Sequence, residues 1–272
     1  MLFPLLATAQ VPKNFLSDVQ RQIAFISDSV RGGQSWTAVN GAHITLNYVS
    51  SPNLGPEKAA QYRDAFEGAL SSDCKTLNLD LPADKVVFYL YPDAKALGKA
   101  VGSPVPLPEG ISFNDWAAVV DDPKGLTSDL KGLVAEGAAR VLIHTKLDAP
   151  YGCPLFTDGL VQLLRSTFLN EAWTSRPASA DATPLRKFVA APQTPQIAIT
   201  QGSRLCAYLL QEDHGDPTRL KQLITELSKQ RLADLRSPGK LAWDARVEHT
   251  CAEVFGKNLD GLEAAWRAKY KS

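Results

Sequence analysis

The chain has 272 residues, with 29 Lys+Arg balancing 29 Asp+Glu and with 44% hydrophobic and 21% charged residues. This composition excludes disorder as the main state and lacks the surplus positive charge of a dedicated nucleic-acid binder. No apolar run approaches the roughly 20 residues that span a bilayer, so no transmembrane segment is expected.

The chain opens on a short apolar run that closes with Ala7-Thr8-Ala9 before Gln10. The small-residue spacing matches a secretory cleavage site, without the basic start and longer apolar stretch of a whole signal peptide. Residues 1–12 therefore read as a signal-peptide remnant or a frayed terminus, and residues 13–272 as a single domain. An exported, bacterial-type protein is expected, periplasmic or extracellular. Its four cysteines, Cys74, Cys153, Cys206 and Cys251, would then pair in one of three ways. The pairing expected here is Cys206 with Cys251 and Cys74 with Cys153; the alternative is a cytoplasmic protein with buried free thiols.

Apolar positions Phe15, Val19, Ile23 and Ile26 recur at helical spacing and predict a helix over 15–30, ended by Gly32-Gly33. His43 to Ser50 alternates and is β-rich, which predicts a strand. A helix over 57–70 follows Pro56, a favoured first-turn residue. Lys85 to Tyr91 is a continuous β run, the pattern of a strand buried on both faces. Pro92 closes it, and a short helix covers 93–101. Ile111 to Val120, strongest at Trp116-Ala-Ala-Val-Val120, predicts one more strand.

From there the pattern is helical. Leu130, Leu133, Val134, Ala138, Val141, Leu142 and Thr145 form one helical face, and Leu160, Val161, Leu164 and Phe168 mark a second helix after a Pro- and Gly-containing loop. Residues 174–196 are rich in Pro, Ala, Ser and Thr and predict a surface connection. Helices near 201–213, 217–229, 239–255 and 259–270 complete the chain. Strands mixed with helices, then helices alone, make an α+β layout. Its α/β part covers 13–150 and a helical lobe covers 151–272.

The chain contains no G-x-S-x-G elbow, P-loop, G-x-G-x-x-G fingerprint or C-x-x-C pair. Its four histidines and four cysteines are too scattered for a zinc site by local spacing. His144 reads as a partly buried, hydrogen-bonded residue, His214 before Gly215 as a helix C-terminal residue, and Trp36, Trp116, Trp173, Trp243 and Trp266 as core or core-edge residues.

Four segments in order nonetheless resemble one group. His43-Ile-Thr-Leu-Asn-Tyr and Val86-Val-Phe-Tyr-Leu-Tyr-Pro-Asp-Ala-Lys-Ala-Leu are similar to the opening strands of gluzincin-type metallopeptidases, the peptidase MA-like domains. Leu133-Val-Ala-Glu136-Gly-Ala-Ala-Arg140 resembles their L-x-A-H-E-x-x-H helix, and Leu155-Phe-Thr-Asp158-Gly159-Leu160 their W-L-x-E-G-L segment. Phe255-Gly-Lys-Asn-Leu-Asp-Gly-Leu-Glu263-Ala-Ala-Trp266-Arg267 is similar to their F-G-x-S-L-x-x-L-E-x-x-W-R close. The resemblance covers about residues 40–270. It implies a zincin-like fold: a small mixed sheet with helices, followed by the helical lobe.

The departures bear on function. In active relatives two histidines and a glutamate hold zinc, and a second glutamate serves as general base. The positions here are Glu136 and Arg140 for the histidines, Gly137 for the base and Asp158 for the third ligand. Arginine has no lone pair to give a metal, and glycine cannot take a proton. The resemblance thus implies a vestigial site, no zinc cofactor and a non-catalytic protein. Arg140 is expected to stand between the carboxylates of Glu136 and Asp158 where zinc would sit. An ordinary i,i+4 surface pair at Glu136 and Arg140, and a helix-dipole role for Asp158, explain the same residues.

What could survive is peptide recognition. The edge strand that pairs with substrate in active relatives corresponds to 112–120, with Ser112, Trp116 and Val119 as candidate contacts for an extended peptide or protein. The alternatives are a hydrolase with a relocated site using Asp158, Glu136 and His144, and a structural domain of an envelope assembly.

Overall fold

The three-dimensional account rests on a computed structural model. It describes residues 26–32, 34–102, 110–113, 116–149, 152–172, 174–177, 183–190, 196–236 and 242–270. The expected signal-peptide remnant, the first part of the 15–30 helix, Trp173 and residues 239–241 lie outside them. The architecture is mixed α+β. The described residues fall into two compact units: 26–146 with Phe168–Asn170, and Leu147–Thr167 with residues from Glu171 onward. Among the described residues, no helix is long and apolar enough to cross a membrane.

The first unit holds helix α1, described over 26–32, and a five-stranded sheet ordered β1-β2-β3-β5-β4. Its strands are β1 (Trp36–Asn40), β2 (Ile44–Val49), β3 (Val86–Tyr91), β4 (Gly110–Phe113) and β5 (Trp116–Val120). Strands β2, β3 and β5 are parallel neighbours, and each edge strand adds antiparallel. Helices α2 (Pro56–Thr76) and α3 (Ala94–Ala100) connect the parallel strands, and α4 (Ser128–Leu147) follows the sheet. A parallel pair cannot be closed by a tight hairpin, and these helices supply the crossovers.

Strand β3 shows why its sequence is a continuous apolar run. Tyr89 and Tyr91 pack with Val30, Leu97, Trp116 and Ala118 on one face. On the other, Phe88 stacks on Phe66 of α2 with ring centroids 4.1 Å apart. Both rings are fully buried, each worth about 1.5–3 kcal/mol relative to exposure. Local signals set the helix starts: the Asp93 side chain accepts from Ala96 N–H at 2.7 Å, and the Thr127 hydroxyl accepts from Leu130 N–H at 3.3 Å.

A buried polar network ties the start of α2 to the end of β5. Asp121 accepts from Lys58 Nζ at 2.7 Å and from the Tyr62 hydroxyl at 2.9 Å, while its own N–H donates to the Tyr91 carbonyl at 2.7 Å. Burial, above all, raises the Tyr62 phenol's pKa, so the ring stays a neutral donor to Asp121.

The second unit comprises α5 (Pro154–Phe168, less its last residue), α6 (Leu185–Ala190), α7 (Gln196–Glu212), α8 (Thr218–Arg236), α9 (Trp243–Phe255) and α10 (Leu259–Lys269). Helices α5 and α7 cross at two glycines: a Cβ on Gly202 would stand 1.9 Å from the Leu155 carbonyl oxygen, and one on Gly159 2.4 Å from the Gly202 carbonyl carbon. Two buried glutamates hold neighbouring helix starts. Glu263 accepts from Leu185 N–H and Glu248 from Leu259 N–H, both at 2.8 Å. Arg186 of α6 faces Glu248 at 3.2 Å and Asp260 at 3.4 Å. Trp266 is fully buried and donates to the Ser175 carbonyl.

Several sequence expectations are corrected. The segment 112–120 is not one edge strand: it falls in two antiparallel strands, with β4 at the edge and β5 between β4 and β3. The candidate contacts Trp116 and Val119 are therefore interior and buried, because β4 supplies the edge that β5 would otherwise expose. Strand β1 and helix α6 were not anticipated. Asp158 sits inside α5, past its first turn, since the helix begins at Pro154. All four cysteines are buried free thiols, so the pairs Cys206–Cys251 and Cys74–Cys153 are not formed. Burial first of all pushes Cys74 up to about 11 and Cys153 up to about 12, holding both as neutral, apolar packing groups.

Candidate functional site

Helix α4 is enclosed on most of its circumference: Val134, Ala135, Ala138, Ala139, Val141 and Leu142 are buried. Leu133, Glu136, Gly137 and Arg140 follow the i, i+3, i+4, i+7 spacing that aligns them on one face. That face lines a groove with Gly110 of the edge strand and Ala117, Ala118 and Val119 of β5. Register explains the wall: Gly110 pairs with Val119, and a Cβ on Gly110 would stand 3.8 Å from the Leu133 Cβ.

The groove encloses about 60 Å³. That space suits a few water molecules or one small side chain, well short of the roughly 300–1,000 Å³ of an ordinary small-molecule pocket. Its floor is apolar, from Ala117, Val119 and Leu133. Its polar groups are the half-buried Glu136 and Arg140, one helical turn apart.

The expected vestigial residues are thus partly assembled. Glu136, Gly137 and Arg140 share the groove, with Gly137 seated against β5. Asp158 belongs to α5 of the second unit. Ser112 lies on the edge strand, paired with Ala117. His144 is half-buried in the last turn of α4. His214 has a left-handed backbone, φ 55°, just beyond α7, and Gly215 N–H returns to the Leu210 carbonyl at 2.7 Å.

The donor set does not fit zinc. One carboxylate and one guanidinium share the groove, and a permanently charged guanidinium repels a cation as well as failing to ligate it. Among the described residues, no group of three or more His, Cys, Asp or Glu is arranged to hold a metal. The arrangement sets a shallow apolar notch and one charge of each sign beside the β4 sheet edge.

Sequence reading missed the groove's other wall. Gly110 carries no chemical signature, and only the pairing of β4 with β5 brings it to the α4 face of Leu133 and Glu136. It also missed Asp73 and Asp121, although Asp73 continues the buried face Tyr62, Phe66, Ala69, Leu70 of α2. Compared with known proteins, the chain matches no family model and no curated sequence.

Proposed function

We propose that this chain is a catalytically inactive, zincin-like relative of the metallopeptidases that works as an exported peptide- or protein-binding domain. The carrying observation is the groove between the β4–β5 hairpin and α4, which contains the three residues aligned with the metallopeptidase motif. An extended peptide would add to the β4 edge and set one small side chain in the notch over Ala117 and Val119. Arg140 and Glu136 would select charge in the flanking peptide residues. Gly137 leaves no base to activate water, so the bound peptide is held without being cut.

The test is titration of the purified protein with a library of unstructured peptides. Saturable binding is expected, weakened at least tenfold by Leu133→Trp, which fills the notch, and altered in charge preference by Arg140→Ala. Absence of saturable binding overturns the reading. Stoichiometric zinc together with chelator-sensitive peptide cleavage would replace it with the relocated-site hydrolase.

A further inference from the structure

Asp73 is 1% exposed, and neither of its carboxylate oxygens has a hydrogen-bond partner. It sits on the buried face of α2, seven residues after Phe66 and so on the same side of the helix. The charged neighbourhood runs through Cys74, the next residue on α2, whose thiol feels the charges of Asp73, of Lys146 in the last turn of α4 and of Asp80 beyond α2. None of these neighbours supplies a hydrogen bond to Asp73. A charged carboxylate sealed from water without a partner is strongly disfavoured, and such a group takes a proton instead.

We propose that Asp73 is a built-in proton switch. Protonated, it lets the last turns of α2 seat in the core; ionised, it drives those turns open to water. The inference stands apart from the groove and from any peptide bound there.

The direction follows from linkage. Burial holds the Asp73 carboxyl well above the usual carboxylate range in the folded chain, against about 3.9 in an unfolded one. The folded state then keeps a proton that the unfolded state has lost. This contribution to stability is intact below about pH 3.9 and is lost progressively as pH rises toward the folded-state value.

The experiment compares melting temperatures of the wild-type chain, Asp73→Asn and Asp73→Leu between pH 4 and pH 8. The advantage of both variants over the wild type is expected to grow by several degrees from pH 4 to pH 8, because neither can ionise. A difference that stays constant with pH overturns the proposal, whatever its size. The infrared carbonyl band of a protonated carboxylic acid, present in the folded wild type at pH 6 and missing from Asp73→Asn, is the second readout. Its absence from the wild type would equally overturn the switch.

Discussion

Gly137 of α4 lies so close to Ala117 of β5 that a Cβ on the glycine would stand 3.0 Å from that of the alanine. The helix is seated directly on the sheet at this glycine. Adding a side chain there has to move α4 or β5. Gly137→Val is expected to lower stability by about 1–3 kcal/mol, the usual cost of overpacking. Urea denaturation checks this, and a neutral or stabilising result would show that α4 can shift freely.

The α5–α7 crossing makes a sharper case. The obstacle to a Cβ on Gly202 is the Leu155 carbonyl oxygen at 1.9 Å, a backbone atom fixed in a helix. Gly202→Ala should therefore cost more than about 2 kcal/mol. Gly98 in α3 has nothing within 4 Å of an added Cβ, so Gly98→Ala should gain up to about 1 kcal/mol from helix propensity alone. Denaturant midpoints of the two variants should move in opposite directions.

Asp121 accepts from both Lys58 and Tyr62, and its side chain is 3% exposed. Asp121→Ala leaves the Lys58 ammonium only the Asp122 carbonyl and takes the acceptor from the Tyr62 hydroxyl, for an expected loss of about 1–3 kcal/mol. Tyr62→Phe removes one donor and should cost about 1–3 kcal/mol. A double-mutant cycle of Asp121→Ala with Lys58→Met, read by thermal denaturation, should return a positive coupling; strict additivity would deny the network.

The four buried thiols give a chemical prediction. A water-soluble thiol reagent should label none of Cys74, Cys153, Cys206 and Cys251 in the folded protein and all four after unfolding without reductant. Mass spectrometry counts the labels. Fewer than four on the unfolded chain would reveal a disulfide, the arrangement expected from an exported protein.

The elements legible in the sequence are those whose pattern reports burial directly. Val86 to Tyr91 reads as a central strand because both of its faces are covered, and α2 and α4 read as helices because their apolar residues recur at helical spacing. Strand β1 escaped because most of Trp36–Asn40 is exposed or half-exposed, which leaves no alternation to read. Helix α6 escaped because six residues in a Pro- and Ala-rich stretch carry little propensity of their own. Glu263 and the ion pairs of Arg186, all contributed from α9 and α10, hold it. The closing Phe255 to Arg267 motif is likewise structural: Gly256 ends α9 in a left-handed conformation, Asn258 caps α10, and Glu263 holds α6.

By itself the sequence determined the α+β order and the helix carrying Glu136 and Arg140. Those conclusions need only residue type and local spacing. Tertiary structure decided that β4 rather than β5 forms the sheet edge, that Gly110 and Leu133 wall the groove, and that Asp73 is sealed without a partner. Each depends on which distant segment packs where. Strand pairing and burial are set by the whole core, and no local pattern encodes them.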